Sequence, residues 1–134
     1  MQLTPRRAVL AGSSALGALA LAPAAARAAR TGGRVPLLST YVAGTGYHQA
    51  ATAAPRLRPG DPLVLRRRPD SSYDPRTVEV RTVDGALLGH LPRIDNQAVA
   101  RLMDAGVAAD AVVSAVVPDS SRPTIRLEVT VTLA

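Results

Sequence analysis

The sequence of 134 residues contains no cysteine, no tryptophan, no phenylalanine and no lysine, and its aromatic content is three tyrosines, Tyr41, Tyr47 and Tyr73. The missing cysteine excludes a disulfide framework, a thiolate metal site, a cysteine nucleophile and a lipid-modified cysteine. The missing lysine excludes a phosphate-binding glycine loop that ends in Lys-Ser/Thr, and no Gly-x-Ser-x-Gly elbow is present either. Hydrophobic residues make up 47% of the chain and aromatics 2%, so any core is aliphatic and each tyrosine stands out. His48 and His90, even taken with Asp74, lack the spacing of a metal site. These absences predict a protein that is not an enzyme and carries no cofactor or metal.

A chain of this length holds one domain, on a prior of roughly 100–200 residues per domain. All sixteen basic residues are arginine and the formal net charge is +6. Three of those arginines and no acidic residue lie in positions 1–28, which leaves thirteen basic against ten acidic residues, a net of +3, in the remainder. That excess is too mild to argue a nucleic-acid partner by itself. Arg66-Arg67-Arg68 reads as a solvated face, because alternate residues of a strand point to opposite sides.

The amino terminus has the order of an export signal. Thr4-Pro5-Arg6-Arg7-Ala8-Val9-Leu10 places paired arginines ahead of an uncharged run from Ala8 to Ala26. Pro23 lies near the end of that run with small residues after it, as at a signal-peptidase site. Ala26-Arg27-Ala28 predicts a cut between Ala28 and Ala29, with Ala24-Ala25-Ala26 as a second site. Val9 supplies the apolar residue that follows a twin-arginine pair, while Ala11 stands where a lysine is common. The 19 uncharged residues approach the roughly 20 needed to span a bilayer, but alanine, glycine and serine dominate them and insert weakly. The expectation is a twin-arginine signal peptide over 1–28, a passenger exported already folded to the periplasm or beyond, and no stable membrane anchor.

Positions 29–35, small and basic, predict a flexible leader, and the domain proper is expected over 36–134. Pro36 to Gly44 reads as a strand, and Thr45 to Pro55 is alanine-rich without a clear period. Arg58-Pro59-Gly60-Asp61 makes a turn and Leu63-Val64-Leu65 begins a second strand. A polar loop follows from Arg68 to Pro75, bracketed by prolines that deny the backbone a donor. Thr77 to Thr82 alternates Val78 and Val80 inward with Glu79 and Arg81 outward, Asp84-Gly85 turns, and Ala86 to His90 returns. A helix then begins at a cap from Asp95 or Asn96, buries Val99, Leu102 and Met103, and ends at Gly106. Ala111 to Val117 is a strand. Thr124 to Leu133 alternates most cleanly, with Ile125, Leu127, Val129, Val131 and Leu133 on the inner side. Five or six short antiparallel strands with one helix between the fourth and fifth predict a mainly β fold, a small, partly closed barrel.

Four short motifs occur in order: Tyr41-Val42-Ala43-Gly44-Thr45-Gly46-Tyr47; Gly60-Asp61-Pro62-Leu63-Val64-Leu65; Arg68-Pro69-x-x-x-Tyr73-Asp74-Pro75; and Leu88-Gly89-His90-Leu91-Pro92. Together, over about Leu38 to Leu133, they resemble the HIRAN domain. That family is similar to the OB barrel and is best known as a module of SWI/SNF-type DNA helicases, where it captures the free 3′ end of single-stranded DNA. It also occurs as short stand-alone bacterial proteins.

The resemblance implies that Tyr47 stacks on a terminal base, that Tyr73 packs against the next nucleotide and that Asp74 accepts a hydrogen bond from the terminal 3′ hydroxyl. It places His90 and Arg93 near phosphate. Gly46 departs from the family pattern, where DNA-end-binding members carry arginine; Ser71 and Ser72 replace a usual asparagine, and Arg68 replaces a usual acid. The residues alone leave a second reading of the same positions, with Tyr47 and Tyr73 as barrel plugs and Asp74 in an Asx-turn. Two functions follow: an exported, non-catalytic module that binds single-stranded DNA or a nucleotide, or a cell-envelope structural module that offers an edge strand to a protein partner.

Overall fold

The computed structural model describes residues 33–119 and 121–133. The expected export signal, with Arg6, Arg7 and the cut between Ala28 and Ala29, lies outside the described residues. Among them, no helix is long and apolar enough to cross a membrane.

The elements are β1 (Arg34–Tyr41), α1 (Ala50–Ala53) running into a 3-10 turn (Ala54–Arg56), β2 (Pro62–Arg67), β3 (Val78–Thr82), β4 (Leu87–His90), α2 (Asn96–Asp104), β5 (Ala108–Val117) and β6 (Thr124–Thr132). The six strands pair antiparallel in the order β1-β6-β5-β2-β3-β4. Just past β1, Ala43 exchanges both backbone hydrogen bonds with His90 at the end of β4, at 2.8 and 3.0 Å. The two ends of the sheet therefore touch at one point, and the sheet curls into the expected partly closed, OB-like barrel.

The core is aliphatic throughout. Val78, Val80, Leu88, Val99, Ile125, Leu127 and Val129 are fully buried, each contributing on the order of 1.5–3 kcal/mol by leaving water. Leu133, expected inward, is 43% exposed, because it lies beyond Thr132, the last residue that pairs with β1 and β5. Arg34 and Val35, expected in the leader, already pair with Thr132 and Val131. Pro36 follows them at a bulge of β1, a strand at one end of the order, where a missing donor is tolerated. The stretch without a period, Thr45 to Pro55, contains the single turn of α1, whose Ala50 and Ala53 are buried together with Ala54.

Glu79 alternates outward as expected yet is only 8% exposed. Arg68 and Arg81 each reach one of its oxygens at 2.9 Å and cover it. The arginine run is likewise no open basic patch: Arg67 makes two bonds to Asp104 of α2, at 2.8 and 3.0 Å.

Helix α2 buries Val99 and ends as expected, with the amides of Gly106 and Val107 bonded back to Met103 and Leu102. Its start differs. Asp95 occupies the cap position but makes no side-chain cap bond; its carboxylate accepts the buried hydroxyl of Thr40 at 2.7 Å. Asn96 turns its amide to Asp74. Thr40→Val keeps the shape and deletes this tie between β1 and α2. We expect it to lower stability by about 1–2 kcal/mol in urea unfolding.

Candidate functional site

Hydrogen bonds within the loop from Arg68 to Thr77 fix its shape. Its ends close through the Arg68 amide on the Thr77 carbonyl at 3.0 Å, and the Arg67 guanidinium donates to the same carbonyl at 2.8 Å. The Ser71 hydroxyl accepts from the amides of Tyr73 and Asp74 at 3.2 and 3.4 Å, the local motif by which serine replaces backbone partners in turns.

Asp74 is 3% exposed. One oxygen accepts from the Arg76 amide at 3.0 Å, an Asx-turn; the other accepts from Asn96 Nδ2 at 2.9 Å and lies 3.5 Å from Arg93 Nε. The bond from the Arg76 amide, then that from Asn96, and the charges of Arg93 and Arg76 hold the carboxyl below the ordinary aspartate range, against an opposing cost of desolvation. Asn96 is itself 2% exposed, and its Oδ1 has no hydrogen-bond partner among the described residues.

This frame presents Tyr73. Its ring is 61% exposed, with the Arg93 guanidinium carbon 4.9 Å from the centroid and the His90 ring 5.7 Å away, tilted by 46°. Arg93 also donates to the Tyr73 carbonyl at 2.9 Å, so one guanidinium grips ring, backbone and Asp74 together. A hollow of about 270 Å³ opens beside the ring, lined by His48, Ser71, Tyr73, Glu79, Gly89 and His90 among others. Larger hollows, of about 490 and 600 Å³, lie against the β3–β4 turn and beside α2. No aromatic ring lines either.

Tyr47 projects from the neighbouring turn, where its amide bonds the Gly44 carbonyl at 3.0 Å, and it is 80% exposed. The barrel-plug reading therefore fails for Tyr47 and Tyr73, since both rings face solvent. The structure brings Tyr73, Asp74, His90 and Arg93 into contact, while Tyr47 stands one residue from His48 on the rim. The expected hydroxyl acceptor, Asp74, has its oxygens turned into the protein, and Ser71 is part of the loop's frame. His48, Glu79 and Asn96 join the site without a sequence motif that marks them for it. The pairing of Glu79 with His90 across β3 and β4 brings the former in, a register invisible before the sheet is known.

Asp74 also sets an acid response. Its folded pKa lies below the unfolded value of about 3.9, so its contribution is complete above that value and is lost as pH falls through the depressed folded pKa. Asp74→Asn is expected to lower the melting temperature at neutral pH by several degrees and to flatten the decline below about pH 4, as read by thermal melts across pH.

A sequence model of the HIRAN domain matches residues 35–134. The chain belongs to the HIRAN domain family. A solved protein from Lactobacillus plantarum is 26% identical, with a TM-score of 0.70 over 76% of this chain and 98% of that one. The HIRAN domain of human HLTF is also 26% identical, with a TM-score of 0.61 over 75% and 80% of the two chains. An NMR structure of that HLTF HIRAN domain in its DNA-bound conformation is 23% identical, with a TM-score of 0.53 over 79% and 84%. No curated protein matches. The HIRAN match and these structures agree with the six-stranded, partly closed barrel described above.

Proposed function

We propose that this HIRAN domain is a binding module with no catalytic role, that it takes the end of a single-stranded nucleic acid or a nucleotide, and that it does so after export. One observation carries the reading: the Tyr73 ring is open to solvent and flanked by Arg93 and His90 beside a hollow. A base gains about 1–3 kcal/mol by stacking on such a ring, whatever its identity. Arg93 offers charge to a phosphate and Tyr47 offers a second face. Asp74 acts chiefly by holding Arg93 and the loop, and a terminal hydroxyl reaches it only by entering the loop. The HLTF HIRAN domain, solved in a DNA-bound conformation, supports the choice of ligand. The paired arginines Arg6 and Arg7 support the export route and a periplasmic or secreted address.

Titration of the full-length protein with strands ending in a 3′ hydroxyl or a 3′ phosphate tests the reading. A terminal phosphate adds bulk at a hollow of only about 270 Å³, so the hydroxyl-ended strand is expected to bind about tenfold more tightly. Equal binding, or none, ends the proposal. The other role, an envelope protein that offers an edge strand to a protein partner, draws on the position of β1 at one end of the strand order and gains from the latter result.

A further inference from the structure

A second hollow, of about 360 Å³, lies across the Gly44–Tyr47 turn from the first. Tyr41, Gly44, Thr45, Arg122 and Arg126 are among its lining residues, and no acid is. Tyr41 and Arg126 are direct partners across β1 and β6; Arg126 is exposed and Tyr41 is 45% exposed. Arg122 lies over Gly46, where a Cβ would stand 3.1 Å from its Cγ and 3.2 Å from its Nε. Arg122 therefore packs directly on Gly46, and a side chain there would make the arginine arm shift by a few tenths of an ångström. Among the described residues neither arginine makes an ion pair. Glu128, further along the same face of β6, stands opposite Ser39 and outside the hollow.

The two hollows share a thin wall. Gly44 lines the second, and a Cβ on it would lie 3.2 Å from Nε2 of His90 and 3.8 Å from the ring of His48, both of which line the first. We infer that the second hollow is a further subsite for the same strand, in which a base lies on Tyr41 while Arg122 and Arg126 neutralise the phosphates that bridge back over the turn. The inference rests on the reading of the Tyr73 site and extends it. Barrels of this class cover about 4–16 nucleotides, and the Tyr73 hollow alone has room for the end of a strand. All three tyrosines of the chain then serve one track.

Anisotropy titrations of the full-length protein with a thymidine trinucleotide and a strand of about twelve thymidines test this. The longer strand is expected to bind about tenfold more tightly. Tyr41→Ala and the double substitution Arg122→Ala, Arg126→Ala each remove that gain, leave the trinucleotide affinity unchanged, and lower the melting temperature by no more than about 2–4 °C, because the three side chains are at least partly exposed. The double substitution also lowers the salt dependence of long-strand binding, by about 0.7 in log–log slope for each phosphate that is no longer neutralised. A trinucleotide that binds while the longer strand gains nothing, or a gain that survives both variants, overturns the second subsite and leaves the Tyr73 reading intact. A trinucleotide that does not bind overturns the Tyr73 reading, and the second subsite with it.

Discussion

Gly89→Ala is expected to open the barrel at its seam. Gly89 has φ +157°, and a Cβ there would stand 2.1 Å from the Ala43 carbonyl oxygen and 2.7 Å from Cγ1 of Val42. The first of these is a backbone atom that cannot rotate aside, and it is the acceptor of the 3.0 Å bond from the His90 amide that closes the sheet. The alanine must therefore separate β4 from the end of β1. Overpacking of about 1–3 kcal/mol and backbone strain of similar size add to roughly 2–6 kcal/mol, a large share of the total of about 5–15 kcal/mol typical of a domain. The seam also carries both walls of the site, His90 on one strand and the Gly44–Tyr47 turn on the other, so ligand binding falls with stability. Urea unfolding of the full-length variant reads the first effect. A loss smaller than about 1 kcal/mol, within the range of ordinary substitutions, would mean that closure does not depend on the bare glycine.

The second large effect is on binding alone. Tyr73→Ala removes the stacking face, which is expected to weaken single-strand binding by about 1–3 kcal/mol, or roughly 5–150-fold. Because the ring is 61% exposed, stability should change by only about 0.5 kcal/mol. Arg93 keeps its bonds to the backbone carbonyl of residue 73 and to Asp74, so the loop's frame survives. Tyr73→Phe retains the ring and should bind within about threefold of the parent. A Tyr73→Ala protein that binds as well as the parent would place the ligand elsewhere.

Much of this architecture is written in local periodicity. The alternation of Ile125, Leu127, Val129 and Val131 specifies β6, and the spacing of Val99, Leu102 and Met103 before Gly106 specifies α2, because each pattern has one buried side and little else to satisfy. Asp84-Gly85 likewise marks the β3–β4 turn. What periodicity does not carry is pairing between distant segments. Val35 belongs to β1 only because Val131 lies beside it, and Glu79 is hidden only because Arg68 and Arg81 fold over it. Four residues of α1 are too few to show a helical period.

The site divides along the same line. Tyr47, Tyr73, His90 and Arg93 could be singled out because aromatics are scarce and the motifs come in a familiar order. The partners of Asp74 could not be, since Asn96 lies 22 residues away and reads locally as a helix cap. A short acidic side chain before proline suits both a ligand acceptor and an Asx-turn, and only the fold shows its oxygens directed at Arg76 and Asn96. Arg122 gives no sign in sequence that it complements Gly46.

The proposed function requires a nucleic-acid end to lie on the Tyr73 ring at the mouth beside the barrel seam. Amide chemical shifts of the full-length protein, followed by NMR during titration with a thymidine trinucleotide, test it most directly. The largest changes are expected on the Gly44–His48 turn, on Ser71 to Asp74 and on His90 to Arg93. No change, or changes centred on the hollow beside α2 or against the β3–β4 turn, would contradict it.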